Sequence, residues 1–308
     1  MDMGITRITT AAALVFAAGM ARAQMETQAG PQVHVVVTVE GKHDGAPANL
    51  TTQDVMVRQD DHRLRVNDWE ALRGDRGGLQ LWILIDDSAD SGIATQFGDL
   101  RKFIESQPAE AQIGIGYLRN GTVETAQAPT ADHARAAKAI RIPMGIAGGD
   151  ASPYMSLSDL IKHWQPSTMR REVLMITSGI DLYYGAGPQN PYLQRAIDDA
   201  QKAGVIVHSI YWSGIGHFSH DRWQIEWGQN DLAQLSDATG GEAYWQGFIN
   251  PVSFAPYLDD LARRLNNQYG LTFFAIPDKK ADFQRIHIST EVPNVTLAAQ
   301  RRVWVAAP

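Results

Sequence analysis

The apolar positions of the chain follow one period at its two ends and another in its middle. Residues 32–69 alternate apolar and polar side chains around a turn-forming stretch at 41–49, which predicts antiparallel strands. Residues 79–268 instead alternate short apolar runs with amphipathic stretches of helical length. That order is typical of a parallel sheet with helical crossovers. Residues 269–308 return to simple alternation and predict three further strands.

The middle segment predicts five strands and six helices. The strands are expected at 79–86, 113–118, 172–177, 205–212 and 242–245. The helices are expected at 94–106, 131–139, 153–164, 191–203, 232–238 and 254–267. The first strand is almost continuously apolar, as a strand covered on both faces requires.

The terminal strands cannot easily extend a parallel sheet. We therefore expect residues 269–308 to pack with the strands of residues 32–72 in a small antiparallel β domain. Residues 79–268 then form an α/β domain inserted between the two β segments, with its chain ends close together. The predicted fold class is α/β, with a doubly wound central sheet and a small antiparallel β domain.

The first residues have the features of a secretory signal. Arg7 precedes an apolar run at 11–18, and small residues at 21 and 23 form a cleavage site, so residues 1–23 are expected to be removed after Ala23. The apolar run is too short to cross a bilayer, and no later segment reaches that length. The mature chain is therefore expected to be secreted or periplasmic, with no transmembrane segment.

Composition narrows the possible functions. The chain has 27 basic and 34 acidic side chains, a formal net charge of −7, which argues against a nucleic-acid partner. It has no cysteine, which excludes a disulfide scaffold, a thiolate metal site and a cysteine nucleophile. The adjacent Arg301 and Arg302 are expected at an exposed strand end rather than in a groove for a polyanion.

The loop after the first parallel strand carries the strongest candidate chemistry. Ligands of open parallel sheets bind beyond the carboxyl ends of the strands. The side chains that follow the first strand there are Asp86, Asp87, Ser88, Asp90 and Ser91. Oxygen atoms at alternate positions can be directed at one hard cation such as Mg²⁺ or Ca²⁺.

This loop resembles the start of the metal-ion-dependent adhesion site of the von Willebrand factor A family, which has the motif D-x-S-x-S. Asp86 and Ser88 match the motif, and Asp90 replaces its second serine. The resemblance implies a Rossmann-like, doubly wound domain that binds its partner at the carboxyl edge of the sheet. In the family, a later Thr and a later Asp complete the site, and the partner supplies a carboxylate to the cation.

Neither of the two later positions matches the family. The loop at 148–152 has Asp150 and Ser152 around the position of the Thr, and Ser178 stands where the family has the Asp. The predicted adhesion site is therefore degenerate.

Two interpretations of the degenerate site follow from the residues present. Asp86, Asp90 and Asp150 would bring up to three carboxylates together, and such a group favours a cation bound by Asp86, Ser88 and Asp90. Alternatively, the oxygens of Asp86 and Ser88 accept backbone N–H groups at the strand-to-helix turn and the loop is structural. We expect no cofactor beyond this possible Mg²⁺ or Ca²⁺.

Nearly all of the mature chain resembles a bacterial von Willebrand A-related subfamily of the acidobacterial type. The matching segments are VHVVVTVEG and LTTQDVMVRQD near the beginning, GQNDLAQLSDATGGEAYW in the middle, and QYGLTF before the last strands. The resemblance implies an extracytoplasmic binding role and no defined reaction.

The segment 212–227 is rich in aromatic residues and histidines and leaves the sheet at the same edge. It could form a recognition surface for a protein or a glycan, since aromatic rings give large contact areas. Alternatively, Trp223 and Trp227, four residues apart, form one face of a short helix packed on the domain. His217 and His220 are a weak zinc signal because no HExxH motif surrounds them.

These observations predict a non-catalytic binding or adhesion module. The residues expected to form its partner-binding edge, besides the possible metal ligands, are Asp87, Ser91, Asp150, Ser152, Ser178, Asp181, His217, His220, Trp223 and Trp227. Two other hypotheses are a hydrolase-type enzyme that uses segment 212–227 and a structural component of a cell-envelope assembly.

Overall fold

A computed structural model describes residues 30–42, 49–144, 152–184, 189–213, 221–244 and 247–307. The predicted signal at 1–23 lies outside this part of the chain. No helix among the described residues is both long enough and apolar enough to cross a membrane.

The described residues form strands β1–β14 and helices α1–α6. The strands are β1 (Gln32–Gly41), β2 (Val55–Gln59), β3 (His62–Leu64), β4 (Val66–Ala71), β5 (Leu79–Asp86), β6 (Gln112–Arg119), β7 (Thr122–Thr130), β8 (Arg170–Thr177), β9 (Val205–Tyr211), β10 (Ala243–Tyr244), β11 (Gln268–Phe274), β12 (Asp282–Thr290), β13 (Val295–Ala298) and β14 (Arg302–Val305). The helices are α1 (Phe97–Glu105), α2 (His133–Lys138), α3 (Pro153–His163), α4 (Pro191–Ala203), α5 (Arg222–Thr239) and α6 (Ala255–Asn266). A 3₁₀ helix, Ser91–Gln96, leads into α1.

The central sheet has the strand order β10-β9-β8-β5-β6-β7. Leu81, Ile83 and Ile85 of β5 point into a core shared with α1, α2 and α6, whereas Trp82 and Leu84 point into a core shared with α3, α4 and α5. This alternation along one strand places three helices on each face of the sheet. The doubly wound α/β architecture predicted from the sequence is confirmed.

The central sheet is not entirely parallel, which corrects the sequence-based expectation. β7 pairs with β6 in the antiparallel direction and forms the edge of the sheet. The two strands are joined by Asn120 and Gly121, both of which have positive φ angles. An Asn-Gly pair is a strong hairpin signal because both central positions of a type I′ turn need positive φ.

The terminal strands form two antiparallel sheets, β13-β1-β11-β4 and β14-β12-β2-β3. Strands from both ends of the chain pair directly, β1 with β11 and β2 with β12. Their shared core includes Val37, Val57, Leu271 and Phe273. The last predicted strand is two strands, β13 and β14, and these belong to different sheets.

Candidate functional site

Asp86 ends β5 at the carboxyl edge of the central sheet and accepts hydrogen bonds on both carboxylate oxygens. Its Oδ1 accepts from the Ser88 backbone N–H at 2.9 Å and from Ser88 Oγ at 2.6 Å. Its Oδ2 accepts from Oγ1 of Thr177, the last residue of β8, at 2.6 Å. Burial raises the pKa of Asp86, and these hydrogen bonds oppose that effect. The two neighbouring strand ends are therefore joined through one buried carboxylate.

Asp90 and Ser91 begin the 3₁₀ helix that follows. Asp90 Oδ1 accepts from the Gly92 backbone N–H at 2.7 Å, and the Asp90 N–H donates to the Ser213 carbonyl at 3.3 Å. The Asp90 carboxylate therefore caps its own turn.

Asp87 is buried, and its carboxylate accepts hydrogen bonds from the segment that follows α2. Arg141 donates to Asp87 Oδ1 at 2.7 Å, and the Met144 backbone N–H donates to the same oxygen at 3.0 Å. The guanidinium of Arg141 also lies 3.7 Å from the centroid of the Tyr117 ring. Asp87 therefore anchors residues 141–144 beside the edge.

A second group of polar side chains surrounds Asp181, which is buried in the loop after β8. Its Oδ2 accepts from Ser152 Oγ at 2.7 Å and from Asn190 Nδ2 at 3.2 Å. Its Oδ1 accepts the backbone N–H groups of Tyr183 and Tyr184 at 3.1 and 3.0 Å. Ser152 and Asn190 are also the N-caps of α3 and α4. Asp181 therefore fixes the loop to the beginnings of two helices.

Asp231, on α5, completes this second group. Burial and, to a smaller extent, the Asp181 carboxylate raise its pKa to about 7, against the opposing effect of a hydrogen bond with Asn190. The Asp231 and Asp181 carboxyl groups therefore interact electrostatically, and Asp231 is protonated at mildly acidic pH.

Two glycines allow α5 to lie directly against the loop that contains Ser178. A Cβ atom on Gly228 would come closer than 3.0 Å to the backbone oxygen of Ser178, and one on Gly179 would come equally close to the backbone oxygen of Gly228. Gly179 also has φ +71°, which disfavours other residues. Ser178 Oγ accepts the Ile180 backbone N–H at 3.3 Å.

Apolar side chains are exposed beside these two groups. Trp223 and Trp227 are 47% and 36% exposed, and their rings contact each other at right angles with centroids 4.9 Å apart. The guanidinium of Arg222 lies 4.9 Å from the ring centroid of Phe248. Further large exposed apolar side chains, in loops that contact α5 or the 3₁₀ helix, are Tyr183, Tyr184, Ile249 and Val252. We call these side chains, together with Trp223, Trp227 and Phe248, the apolar rim.

The structure separates the predicted site residues into distinct groups. Asp86 and Ser88 lie together, Ser152 and Asp181 lie together, and Asp87 contacts Arg141. Trp223 and Trp227 lie on a helix, as one sequence interpretation proposed, but α5 begins ten residues before the predicted 232 and both rings are exposed. The predicted residues Asp150, His217 and His220 lie outside the described residues.

Among the site residues that were not predicted from the sequence are Thr177, Asn190 and Asp231. Thr177 had a signal, since it ends a buried strand at the same edge as Asp86. Asn190 also had one, since Asn before Pro191 is typical of a helix N-terminus. Asp231 had none, because its proximity to Asp181 depends on how α5 packs.

The described residues alone do not supply a full set of oxygen ligands for a divalent cation. Among the described residues, no three His, Asp or Glu side chains are grouped as metal ligands. Asp86 supplies a single carboxylate whose oxygens accept from Ser88 and Thr177, and Asp90 caps its own turn. Ca²⁺ usually takes six to eight oxygens, and Mg²⁺ needs a near-octahedral set.

Comparison with known proteins gives structural matches only. No protein-family model matches the chain, and no curated protein matches it. One similar solved structure is an aerotolerance-related membrane protein from Bacteroides fragilis, 15% identical, covering 61% of this chain and 99% of its own, with a TM-score of 0.43. Another is the VWA domain of SpRpn10, 14% identical, covering 60% and 93%, with a TM-score of 0.35.

A third similar structure is proximal thread matrix protein 1 from the mussel byssus. It is 16% identical, with a TM-score of 0.39, and the match covers 61% of this chain and 47% of that one. The fold assignment rests on this chain's own strand order and helix placement. The chain has a Rossmann-like, doubly wound α/β domain combined with antiparallel sheets formed by its terminal strands.

Proposed function

We propose that this chain is an exported, non-catalytic binding module that contacts a protein partner through the carboxyl edge of its central sheet. The observation that carries the proposal is the apolar rim beside the Asp86 and Asp181 groups. Large exposed apolar areas on soluble proteins usually mark interaction sites. Tryptophan and tyrosine are also the residues that contribute most to the affinity of protein interfaces.

The polar groups beneath the rim support this function by fixing the loops that present it. Asp181 binds the backbone of Tyr183 and Tyr184, which are 49% and 40% exposed. A loop that is already ordered loses less conformational entropy when it binds. The buried carboxylates therefore serve as positioning groups.

The proposed mode of binding is independent of metal ions. The Asp86 carboxylate is occupied by the hydroxyl groups of Ser88 and Thr177 and by one backbone N–H. The contact energy then comes from apolar burial at the rim rather than from a carboxylate–cation bond.

A capture experiment tests the rim directly. The immobilised chain is incubated with an extract of the producing cells, and the bound proteins are quantified by mass spectrometry. The double substitution Trp223→Ala and Trp227→Ala is expected to lower recovery of the specific partner by at least about tenfold, because each tryptophan removes a large contact area.

The matched control is Ile276→Ala, which removes an apolar side chain of similar exposure, 44%, outside the rim. This variant should recover the partner as the wild type does. Equal recovery by the double variant and the wild type would contradict a rim-centred interface.

A further inference from the structure

A cleft of about 800 Å³ lies between helices α4 and α5 and strands β2, β12 and β14. Its lining has four arginines and one histidine against two aspartates, Asp60 and Asp237, although the whole chain carries a net charge of −7. The basic side chains that line it are Arg58, Arg285, His287, Arg301 and Arg302. Clefts of this size accept small organic ligands.

Strand register places most of these side chains on one sheet face. Arg285 is directly opposite Arg302 across β12 and β14, and His287 is directly opposite Arg58 across β12 and β2. Arg285 and His287 are two residues apart on β12, so they point to the same side. The intervening Ile286 is buried in the core on the other side. Like charges directly opposite each other destabilise a sheet. A bound anion would reduce this repulsion.

Protein carboxylates neutralise only part of this charge. Arg301 contacts Asp237 at 2.6 Å, and Arg302 contacts Asp198 at 2.6 Å. Arg58 and Arg285 form no ion pair within the described part of the chain, and Arg58 donates to the Asp61 carbonyl at 3.3 Å. Two guanidinium groups that line the cleft are therefore available to an anion.

We infer that this cleft binds a small organic polyanion that carries at least two phosphate or carboxylate groups. Guanidinium groups bind both kinds of oxyanion through paired hydrogen bonds. The apolar Ile197 and Ala238 also line the cleft and can contact the carbon skeleton of such a ligand. The cleft shares no lining residue with the carboxyl-edge groups or the apolar rim, so this site is independent of the partner-binding function.

Calorimetric titration with pyrophosphate and with citrate, at constant ionic strength, tests the inference. The wild-type chain should bind at least one of the two probes, and the stronger probe identifies the phosphate or the carboxylate class. Arg285→Ala and Arg58→Ala should each lower the affinity for that probe by at least about tenfold. Neither substitution should lower the melting temperature, because each removes like-charge repulsion.

Arg63→Ala is the matched control. Arg63 is exposed and directly opposite Arg58 on the same sheet face, but it does not line the cleft. This variant should bind the probe as the wild type does. The inference is overturned if neither probe binds at millimolar concentration, or if Arg63→Ala weakens binding as much as Arg285→Ala does.

Discussion

Replacing Gly228 by Ala is expected to lower the free energy of unfolding by about 3 kcal/mol. In an unconstrained helix the same change would stabilise the protein, since glycine costs about 1 kcal/mol relative to alanine. Here the new methyl group would overlap the backbone oxygen of Ser178. A backbone atom cannot rotate away as a side chain does, so α5 must move away from the loop that contains Ser178. Urea denaturation of the variant and the wild type measures the difference.

Gly98→Ala provides the control for this substitution. Gly98 lies in α1, and no atom lies within 4 Å of the position of its added Cβ. That variant should be as stable as the wild type or more stable by about 0.5 kcal/mol. If Gly228→Ala were equally well tolerated, the close contact between α5 and the Ser178 loop would be incorrect.

Stability is expected to fall by about 2 kcal/mol as the pH rises from about 5 to about 8, because of Asp231. Its pKa is raised to about 7 in the folded protein from an ordinary value of 3.8. Between these values the folded state binds more protons than the unfolded state, so the free energy of unfolding decreases with rising pH. Ionisation above pH 7 places a second charge beside Asp181.

Asp231→Asn should remove this pH dependence and make the protein more stable than the wild type near pH 8. Near pH 5 the two proteins should be similar, since both then carry a neutral group at this position. Glu226→Gln, on the same helix and in an exposed ion pair with Arg222, should retain the wild-type dependence. Urea denaturation across this pH range would contradict the assignment if Asp231→Asn kept the wild-type slope.

Apolar pattern alone predicted the buried elements well. The expected strand at 79–86 and helix at 191–203 coincide with β5 and α4, because continuous burial and clear capping residues define their ends. The hairpin strand β7 was missed because it is a mostly exposed edge strand with weak alternation. The sequence predicted only the last part of the long helix α5, because polar residues and Gly228 interrupt its apolar pattern.

The sequence predicted the part of the site that follows β5, and it predicted the part around Asp181 only incompletely. Asp86 and Ser88 are adjacent in sequence, so their contact follows from a local motif. The hydrogen bond of Asp181 with Ser152 and its electrostatic interaction with Asp231 join three separate elements, whose proximity depends on helix packing. The metal interpretation of Asp86, Ser88 and Asp90 stays a prediction that is not favoured by the observed hydrogen bonds.

The basic cleft also could not be predicted from the sequence, because its arginines come from segments that are far apart in the chain. Arg301 and Arg302 were expected at an exposed strand end because basic residues are scattered along the chain and this pair lies close to its end. Cross-strand pairing brings Arg285 opposite Arg302, and β2 adds Arg58. Charge clusters of this kind depend on register, which is set by the fold as a whole.

The most direct test of the proposed function is the affinity of the captured partner for the wild-type chain in EDTA and in millimolar Mg²⁺ or Ca²⁺. Binding that depends on the apolar rim should have the same dissociation constant in all three conditions. An increase of about tenfold or more in the dissociation constant in EDTA, corresponding to about 1.4 kcal/mol, would show that a cation contributes to the interface and would contradict the account.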